Sequence, residues 1–224
     1  MKVFLTGASG FVGSHVLDLL CAGHHEVSIL LRRTSNTRFI SRHLAVLTVH
    51  FGSLDDVPLL TKAMGGVEAV IHCAGKTKAL HSSEFYRVNR AGTRNVVMAA
   101  NACRESLRRL VYVSSQAVSG PGDLNRPAEE TGDPRPVSVY GRSKWLGETE
   151  VLLHCRVPWT ILRPAAVYGP RDTEFLPVFQ KVKQRLMPLL SGAKRPLHMV
   201  YGPDVAAAVL CCLLHERGAG GTYH

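Results

Sequence analysis

Short runs of apolar residues alternate with helical patterns of apolar and polar positions from the start of the chain. The runs are rich in valine, isoleucine and leucine, which is typical of strands buried on both faces of a parallel sheet. The predicted strands are residues 2–6, 26–31, 45–50, 67–73, 109–114 and 158–163. The predicted helices are residues 11–23, 36–43, 56–64, 83–104 and 138–155, of which 36–43 has the weakest pattern. This repetition predicts an α/β fold, a doubly wound parallel sheet with helices on both faces.

Two regions depart from the alternation. Residues 119–138 are rich in glycine, proline and polar residues, which predicts a long surface loop beside the site. After Pro164 the chain is expected to leave the sheet and to begin a smaller, substrate-facing part. The terminal sequence GAGGTYH is expected to form a turn that enters one more strand.

The composition is that of an ordinary globular domain. The chain has 224 residues, of which 46% are hydrophobic and 20% charged, and this is enough for one sizeable core. Its longest apolar run, residues 205–214, is shorter than the roughly 18 residues that a membrane span needs. The first residues run directly into an apolar strand without the pattern of a signal peptide. We therefore expect a cytoplasmic protein with no membrane partner.

The cysteines and histidines do not form a metal-binding pattern. The 6 cysteines lack C-x-x-C spacing and lie mostly in apolar segments, and the 11 histidines lack ligand spacing. We expect reduced, buried thiols and no metal.

The net charge of +10 favours an anionic partner, which could be nucleic acid, an acidic membrane face or a small anionic ligand. The basic residues are scattered, and no aromatic residues are interleaved with them as on an RNA-binding surface. Small anionic ligands are therefore the favoured partners, and nucleic acid is not expected.

Three glycines lie between the first predicted strand and the first predicted helix. Gly7 permits a tight turn, Gly10 lets a pyrophosphate approach the backbone, and Gly13 lets the helix pack on the strand. The spacing G-x-x-G-x-x-G is one residue longer than the common dinucleotide fingerprint. Turns need glycine in any case, but this position between strand and helix predicts a phosphate cradle.

The end of the second strand indicates which dinucleotide binds. NAD enzymes usually have an acidic residue there for the ribose hydroxyl, whereas this chain has Arg32 and Arg33. A guanidinium binds a phosphate through two hydrogen bonds, so we expect NADP rather than NAD. The alternative is that both arginines are solvated surface residues.

Tyr140 and Lys144 are four residues apart in a predicted helix, so the phenol and the ammonium share one face. A nearby ammonium and a cationic nicotinamide would lower the pKa of the phenol from its ordinary value near 10 and make it a usable base. The pair alone could also be a simple helix surface pair. The fifth strand ends at Ser114 and Ser115, where a hydroxyl could donate to a substrate oxygen, unless it only bonds the local backbone.

With these motifs the sequence resembles the extended short-chain dehydrogenase/reductase family, also called the NAD-dependent epimerase/dehydratase family. The resemblance covers essentially the whole chain through TGASGFVGSHV, HCAG, VNRAGTRNV, VSSQAV, YGRSK, RPAAVYGPRD and DVAAAV. It implies a Rossmann fold, with residues 1–164 as the NAD(P)-binding domain and 165–224 as a partial substrate-facing region that returns to the core.

The resemblance also implies roles for individual residues. Tyr140 would be the acid/base, and Lys144 would hold the nicotinamide ribose and tune Tyr140. Ser115 would position the substrate oxygen, and Asn89 would support the site or its proton relay. Besides Tyr140 and Lys144, the cofactor would contact Gly7, Gly10, Phe11, Val12, Gly13, Arg32, Ser53, Leu54, Cys73, Ala74, Gly75, Pro164 and Val167.

The chain departs from the family pattern at three points. Ser53 stands where members usually have aspartate, and Ser119 stands where a tyrosine is common. Members are also usually longer, so the substrate-facing part is expected to be shortened.

Four functions are compatible with these residues. The favoured one is an NAD(P)-dependent reductase or dehydrogenase, from a branch similar to dihydroflavonol reductases and 3β-hydroxysteroid dehydrogenases, acting on a secondary alcohol or ketone. A nucleotide-sugar epimerase, a non-catalytic NAD(P)-binding module and an RNA-binding relative are the alternatives. A 4,6-dehydratase is disfavoured because SSQAVSG lacks the Asp-Glu pair of that subgroup. A homodimer formed through helices 83–104 and 138–155 is a further expectation from the family.

Overall fold

The computed structural model of the protein describes residues 1–122, 127–186 and 197–224. Its main sheet has seven strands, all parallel, and a separate sheet has two. The strands are β1 (Lys2–Thr6), β2 (Glu26–Leu31), β3 (Thr48–Phe51), β4 (Ala69–His72), β5 (Arg109–Val113), β6 (Trp159–Leu162), β7 (Ala166–Tyr168), β8 (Met199–Tyr201) and β9 (Gly221–Tyr223). The order in the main sheet is β3-β2-β1-β4-β5-β6-β9, and β7 pairs with β8. The predicted doubly wound parallel sheet is confirmed.

Helices cover both faces of the main sheet. They are α1 (Phe11–Ala22), α2 (Val57–Met64), α3 (Ser82–Phe85), α4 (Gly92–Ala102), α5 (Val139–His154), α6 (Leu176–Lys183) and α7 (Gly202–Leu214). Alternate residues of a strand point to opposite faces, so Val3 and Leu5 pack in the apolar cluster with α1 and α7. Phe4 packs in a second cluster with α2, α4 and α5.

The region predicted as helix 36–43 and strand 45–50 differs from the prediction. Residues 37–40 form a turn, a 3₁₀ helix covers Ser41–Val46, and β3 begins only at Thr48. The side chain of Asn36 accepts a hydrogen bond from the backbone of Arg38 (3.0 Å), a local bond that competes with helix formation.

The predicted helix 83–104 contains three different segments. α3 is followed by a π-helical turn, Tyr86–Ala91, and then by α4. Wide turns of this kind frequently occur at functional sites, and this one contains the buried Asn89.

After Pro164 the chain forms β7 and β8 outside the main sheet and returns to that sheet at β9. The two three-residue strands β7 and β8 are too short for a sequence pattern and were missed. α7 packs on α1, and β9 pairs with β6 as the expected last strand. In the predicted loop 119–138, residues 123–126 lie outside the described residues. The described residues 119–122 and 127–137 form no strand or helix.

Candidate functional site

The turn between β1 and α1 is pressed against the end of β4. Gly7 has a φ of +76°, and a Cβ there would lie 2.5 Å from the backbone nitrogen of Ala74. A Cβ on Gly13 would overlap the carbonyl oxygen of Gly7. Only glycine fits these two positions, so the chain needs them for the turn and for the close approach of α1.

The first turn of α1 presents backbone N–H groups at this edge. Gly10 caps the helix without a side chain, and its carbonyl accepts the first intrahelical bond from Ser14 (3.0 Å). The N–H groups of Phe11, Val12 and Gly13 therefore precede the first intrahelical hydrogen bond and can bind an anion. The ring of Phe11 packs against Gly202 of α7, where an added Cβ would lie 2.9 Å from it.

A cleft of about 340 Å³ runs over this edge of the sheet. The predicted cofactor residues that line it are Gly7, Gly10, Arg32, Ser53, Leu54, Cys73, Ala74 and Gly75. It is also lined by residues that the sequence did not indicate, namely Ser9, Leu30, Ser35, Gly52, Asp55, Lys76, Arg87 and Val88. An elongated cleft that joins the glycine turn to the ends of β2 and β4 fits an extended dinucleotide.

The two arginines after β2 have different surroundings. Arg32 lines the cleft, and its backbone N–H donates to the Ser35 hydroxyl (3.1 Å). Arg33 instead places its guanidinium over the ring of Phe51, 5.7 Å from the centroid. Arg32 is therefore the arginine that can reach a bound anion.

Asn89 holds the loop that follows β4. Its Oδ1 accepts from the backbone N–H of Lys76 (2.7 Å), and its Nδ2 donates to the Lys76 carbonyl (3.0 Å) and to the Ser143 hydroxyl (2.9 Å). The Ser143 hydroxyl in turn donates to the Tyr140 carbonyl (2.7 Å). Asn89 thus connects the cleft loop to the first turn of α5.

Ser115 and Tyr140 come together at the carboxyl edge of the sheet. Ser138 caps α5, and a Cβ on Gly141 would overlap the Ala117 carbonyl, so the helix begins directly on the turn after Ser115. The Ser115 hydroxyl accepts a hydrogen bond from the backbone N–H of Ala117 (3.2 Å). The phenol of Tyr140 is partly buried, and the Ser115 hydroxyl is close enough to lower its pKa. The Ser114 hydroxyl is buried and has no hydrogen-bond partner among the described residues.

Lys144 is buried one helical turn further along α5. Its Nζ donates to the carbonyl oxygen of Val113 (2.9 Å) and lies 4.2 Å from the centroid of the Tyr112 ring. Burial lowers the pKa of Lys144 to about 8, and the charges of Glu148 and Cys73 oppose this shift.

The surroundings of Tyr140 shift its pKa in both directions. Burial raises the pKa of Tyr140, the nearby Ser115 hydroxyl partly offsets this, and the Glu174 carboxylate raises the pKa further. The lowering expected from Lys144 together with a bound cationic nicotinamide stays a prediction.

A buried hydrogen-bond chain that the sequence did not reveal underlies the cleft. Thr6 Oγ1 bonds His72 Nδ1 (2.7 Å), and His72 Nε2 bonds Thr93 Oγ1 (3.1 Å), which donates to the Asn89 carbonyl (2.7 Å). Burial lowers the pKa of His72 to about 3, so the imidazole is neutral. Since Thr93 donates to Asn89, His72 must donate through Nε2, and this assigns its tautomer.

Seven predicted cofactor residues are not among those that line the cleft, namely Phe11, Val12, Gly13, Tyr140, Lys144, Pro164 and Val167. The Pro164 carbonyl accepts from Gln116 (3.0 Å), which keeps it near the turn after Ser115. Val167 packs towards the main core with Val200 of the small sheet. The opposite face of that sheet has aromatic residues, where Tyr168 contacts Tyr201 (5.7 Å between centroids) and Phe179 of α6 (6.3 Å).

In the described ranges 1–122, 127–186 and 197–224, no cluster of metal-ligating side chains is present. Across the same part of the chain, no helix is both long and apolar enough to cross a membrane.

Comparison with known proteins shows the family of the chain. The sequence model of the NAD dependent epimerase/dehydratase family matches residues 3–224. The chain is 34% identical to a ceramide reductase of Caulobacter vibrioides, over 93% of this chain and 59% of the relative. It is 29% identical to a 4-hydroxy-2-methyl-3-oxo-4-farnesyl-3,4-dihydroquinoline-1-oxide ketoreductase of Stigmatella aurantiaca, over 99% of this chain and 66% of the relative. The chain therefore spans about three fifths to two thirds of the length of these relatives.

Among solved structures, the fold is similar to the Bordetella bronchiseptica enzyme WbmG in complex with NAD and UDP. The TM-score is 0.83 at 25% identity, over 100% of this chain and 72% of that one.

Proposed function

Because the chain belongs to the NAD-dependent epimerase/dehydratase family, we propose that it is an NAD(P)-dependent oxidoreductase that interconverts a secondary alcohol and a ketone. The observation that carries the proposal is the position of Tyr140, in the first turn of α5, against the turn that follows Ser115 at the carboxyl edge of the sheet, with Lys144 one helical turn away. Bound nicotinamide supplies the hydride chemistry. The protein supplies the cleft, the orientation of the substrate and the proton.

In this proposal Tyr140 gives its proton to the substrate oxygen during reduction and takes it back during oxidation. Its pKa is raised, so the phenol is protonated at neutral pH and is ready to act as an acid. The Ser115 hydroxyl lies beside it and donates to the oxygen as negative charge develops. The Lys144 ammonium contributes positive charge at the same edge.

We propose NADP as the preferred cofactor. Arg32 supports this preference, because it lines the cleft next to Ser35 and no acidic residue follows β2. A guanidinium and a hydroxyl together provide the donors that a ribose 2′-phosphate needs. We also propose that residues 1–164 form the NAD(P)-binding domain and residues 165–224 the substrate-facing region. We further propose that the protein is cytoplasmic and forms a homodimer.

We propose that the substrate has a large hydrocarbon group. The two relatives act, by their names, on a ceramide and on a farnesyl-bearing ketone. In this chain the aromatic residues Tyr168, Phe179 and Tyr201 contact one another in the part that follows Pro164. Glu174, which precedes α6, is close enough to Tyr140 to raise its pKa. An apolar substrate part would find matching side chains there.

An epimerase that acts on a nucleotide sugar is the second candidate, supported by the likeness to a solved structure that contains NAD and UDP. An epimerase restores its cofactor in every cycle, whereas a reductase consumes one NADPH for each product. The test is therefore NADPH consumption with long-chain ketones and with nucleotide sugars, for the wild type and Tyr140→Phe.

Stoichiometric consumption that Tyr140→Phe abolishes supports the reductase. Product formation without net consumption would replace it by the epimerase. Cofactor binding without turnover of either class would leave only a binding module.

A further inference from the structure

Lys144 is a buried cation without a carboxylate of its own. The nearest acid on the same helix, Glu148, gives both carboxylate oxygens to Arg163, at 2.9 and 2.7 Å. Among residues 1–122, 127–186 and 197–224, the Lys144 ammonium has one hydrogen bond, to the Val113 carbonyl. A buried ammonium with so few partners needs a further source of negative potential.

That source is the face of the Tyr112 ring, whose centroid lies 4.2 Å from Nζ. The ring is fully buried and uncharged, because burial raises the pKa of its phenol. On its strand Tyr112 is the register partner of His72, and the two rings stack at 5.4 Å with an angle of 22°. His72 is held from both sides by Thr6 and Thr93, so the Tyr112 ring has a fixed support.

We propose that Tyr112 is a positioning residue for Lys144, with the negative face of its ring holding the ammonium at the carboxyl edge of the sheet. This inference rests on the proposed function, in which Lys144 acts as a cation beside the cofactor. It adds that the aromatic ring at residue 112, supported by His72, keeps that cation charged and in place.

The titratable groups around Lys144 are Glu148 on α5 and Cys73 and His72 at the end of β4. Glu148 is paired with Arg163 and still raises the pKa of Lys144, and His72 is neutral. Burial raises the pKa of Cys73 to about 12, so the thiol is also uncharged near neutral pH. Lowering the electron density of the ring therefore acts on Lys144 without a compensating ionisation nearby.

The test replaces Tyr112 by phenylalanine and, through an expanded genetic code, by 3,4,5-trifluorophenylalanine. Both side chains keep the ring shape, but fluorination removes most of the negative potential of its face. Lys144 is followed by NMR of isotope-labelled lysine against pH, and its signal is identified by its loss in Lys144→Met. This readout does not depend on any activity, so it separates failure of this inference from failure of the proposed function.

We expect Lys144 to titrate near 8 in the wild type and in Tyr112→Phe, and about one pKa unit lower in the trifluoro variant. The ammonium is lost as pH rises through its pKa, so the alkaline limb of the activity–pH profile should move down by the same amount. Equal titration in the phenylalanine and trifluoro variants would overturn the inference. An equally large shift of the Lys144 pKa in Tyr112→Phe would also overturn the inference. The Tyr112 hydroxyl, rather than the face of the ring, would then hold the ammonium.

Discussion

The Asn89 side chain bonds both backbone polar groups of Lys76, accepting from its N–H at 2.7 Å and donating to its carbonyl at 3.0 Å. The same amide nitrogen donates to Ser143, so a single side chain fixes the cleft loop to α5. The π-helical turn Tyr86–Ala91 places the amide where both contacts are made.

Asn89→Asp should destabilise the fold and weaken cofactor binding. A carboxylate keeps the acceptor but loses both donor bonds, and the buried Lys76 carbonyl would then face a negative charge. We expect a loss of about 2–3 kcal/mol in unfolding free energy. Asn36→Asp is the matched control, because the side chain of Asn36 accepts a hydrogen bond from Arg38 and a carboxylate can accept the same bond. This variant should unfold in urea like the wild type. Equal urea midpoints for the two variants would show that the hydrogen bonds of Asn89 to Lys76 and Ser143 do not stabilise the fold.

Substitution in the buried ion pair Glu148–Arg163 should strongly lower the free energy of unfolding. Both side chains are almost inaccessible, at 0% and 5% exposure, so Glu148→Gln leaves a buried guanidinium without its counter-ion. We expect a loss of about 3–5 kcal/mol. Glu150→Gln on the same helix should cost no more than about 1 kcal/mol, because its partner Arg90 is 53% exposed. Chemical denaturation of both variants measures the difference.

Some parts of the fold could be predicted from the sequence, and others depend on how the elements pack. The strands β1 and β2 were predicted to the residue, because continuous apolar runs between turn residues have few other interpretations. The glycine turn was found because Gly7 and Gly13 satisfy a steric requirement that leaves a mark in the sequence.

The π-helical turn, the His72 chain and the contact of Lys144 with Val113 were not predictable. They depend on which side chains meet after the strands and helices have packed. For the same reason the spacing of Tyr140 and Lys144 predicts a shared helix face, but neither the position of the ammonium nor the burial that raises the pKa of Tyr140.

Arg32→Ser should distinguish the two dinucleotides. Loss of a charge-assisted contact should raise the dissociation constant for NADP by about 10- to 100-fold and leave that for NAD nearly unchanged. Arg33→Ser is the control, because Arg33 lies over Phe51 rather than in the cleft. Titration with both cofactors is the measurement, and parallel weakening of NAD and NADP would argue against a 2′-phosphate contact.

Lys144→Met should remove activity and at the same time stabilise the fold at neutral pH. The folded pKa of Lys144 lies near 8, below the value of 10.5 for an unperturbed lysine, so burial of the ammonium costs stability below pH 8. The wild type therefore gains stability as pH rises from about 8 to 10.5, and the methionine variant does not.

We expect the variant to be more stable by about 2–3 kcal/mol at pH 7, with the difference closing across that window. Lys62→Met, at an exposed position of α2, should show no such closing. A difference that is constant with pH would mean that packing of the methionine, rather than charge, is responsible.

The central claim is that Tyr140 protonates a ketone oxygen while the cofactor reduces its carbon. It is tested most directly with NADPH deuterated at nicotinamide C4 and a long-chain ketone, followed by mass spectrometry of the product. The account predicts an alcohol that carries one deuterium from a single face of the cofactor, and loss of this product in Tyr140→Phe although NADPH still binds. Undiminished deuterium transfer in Tyr140→Phe would contradict it.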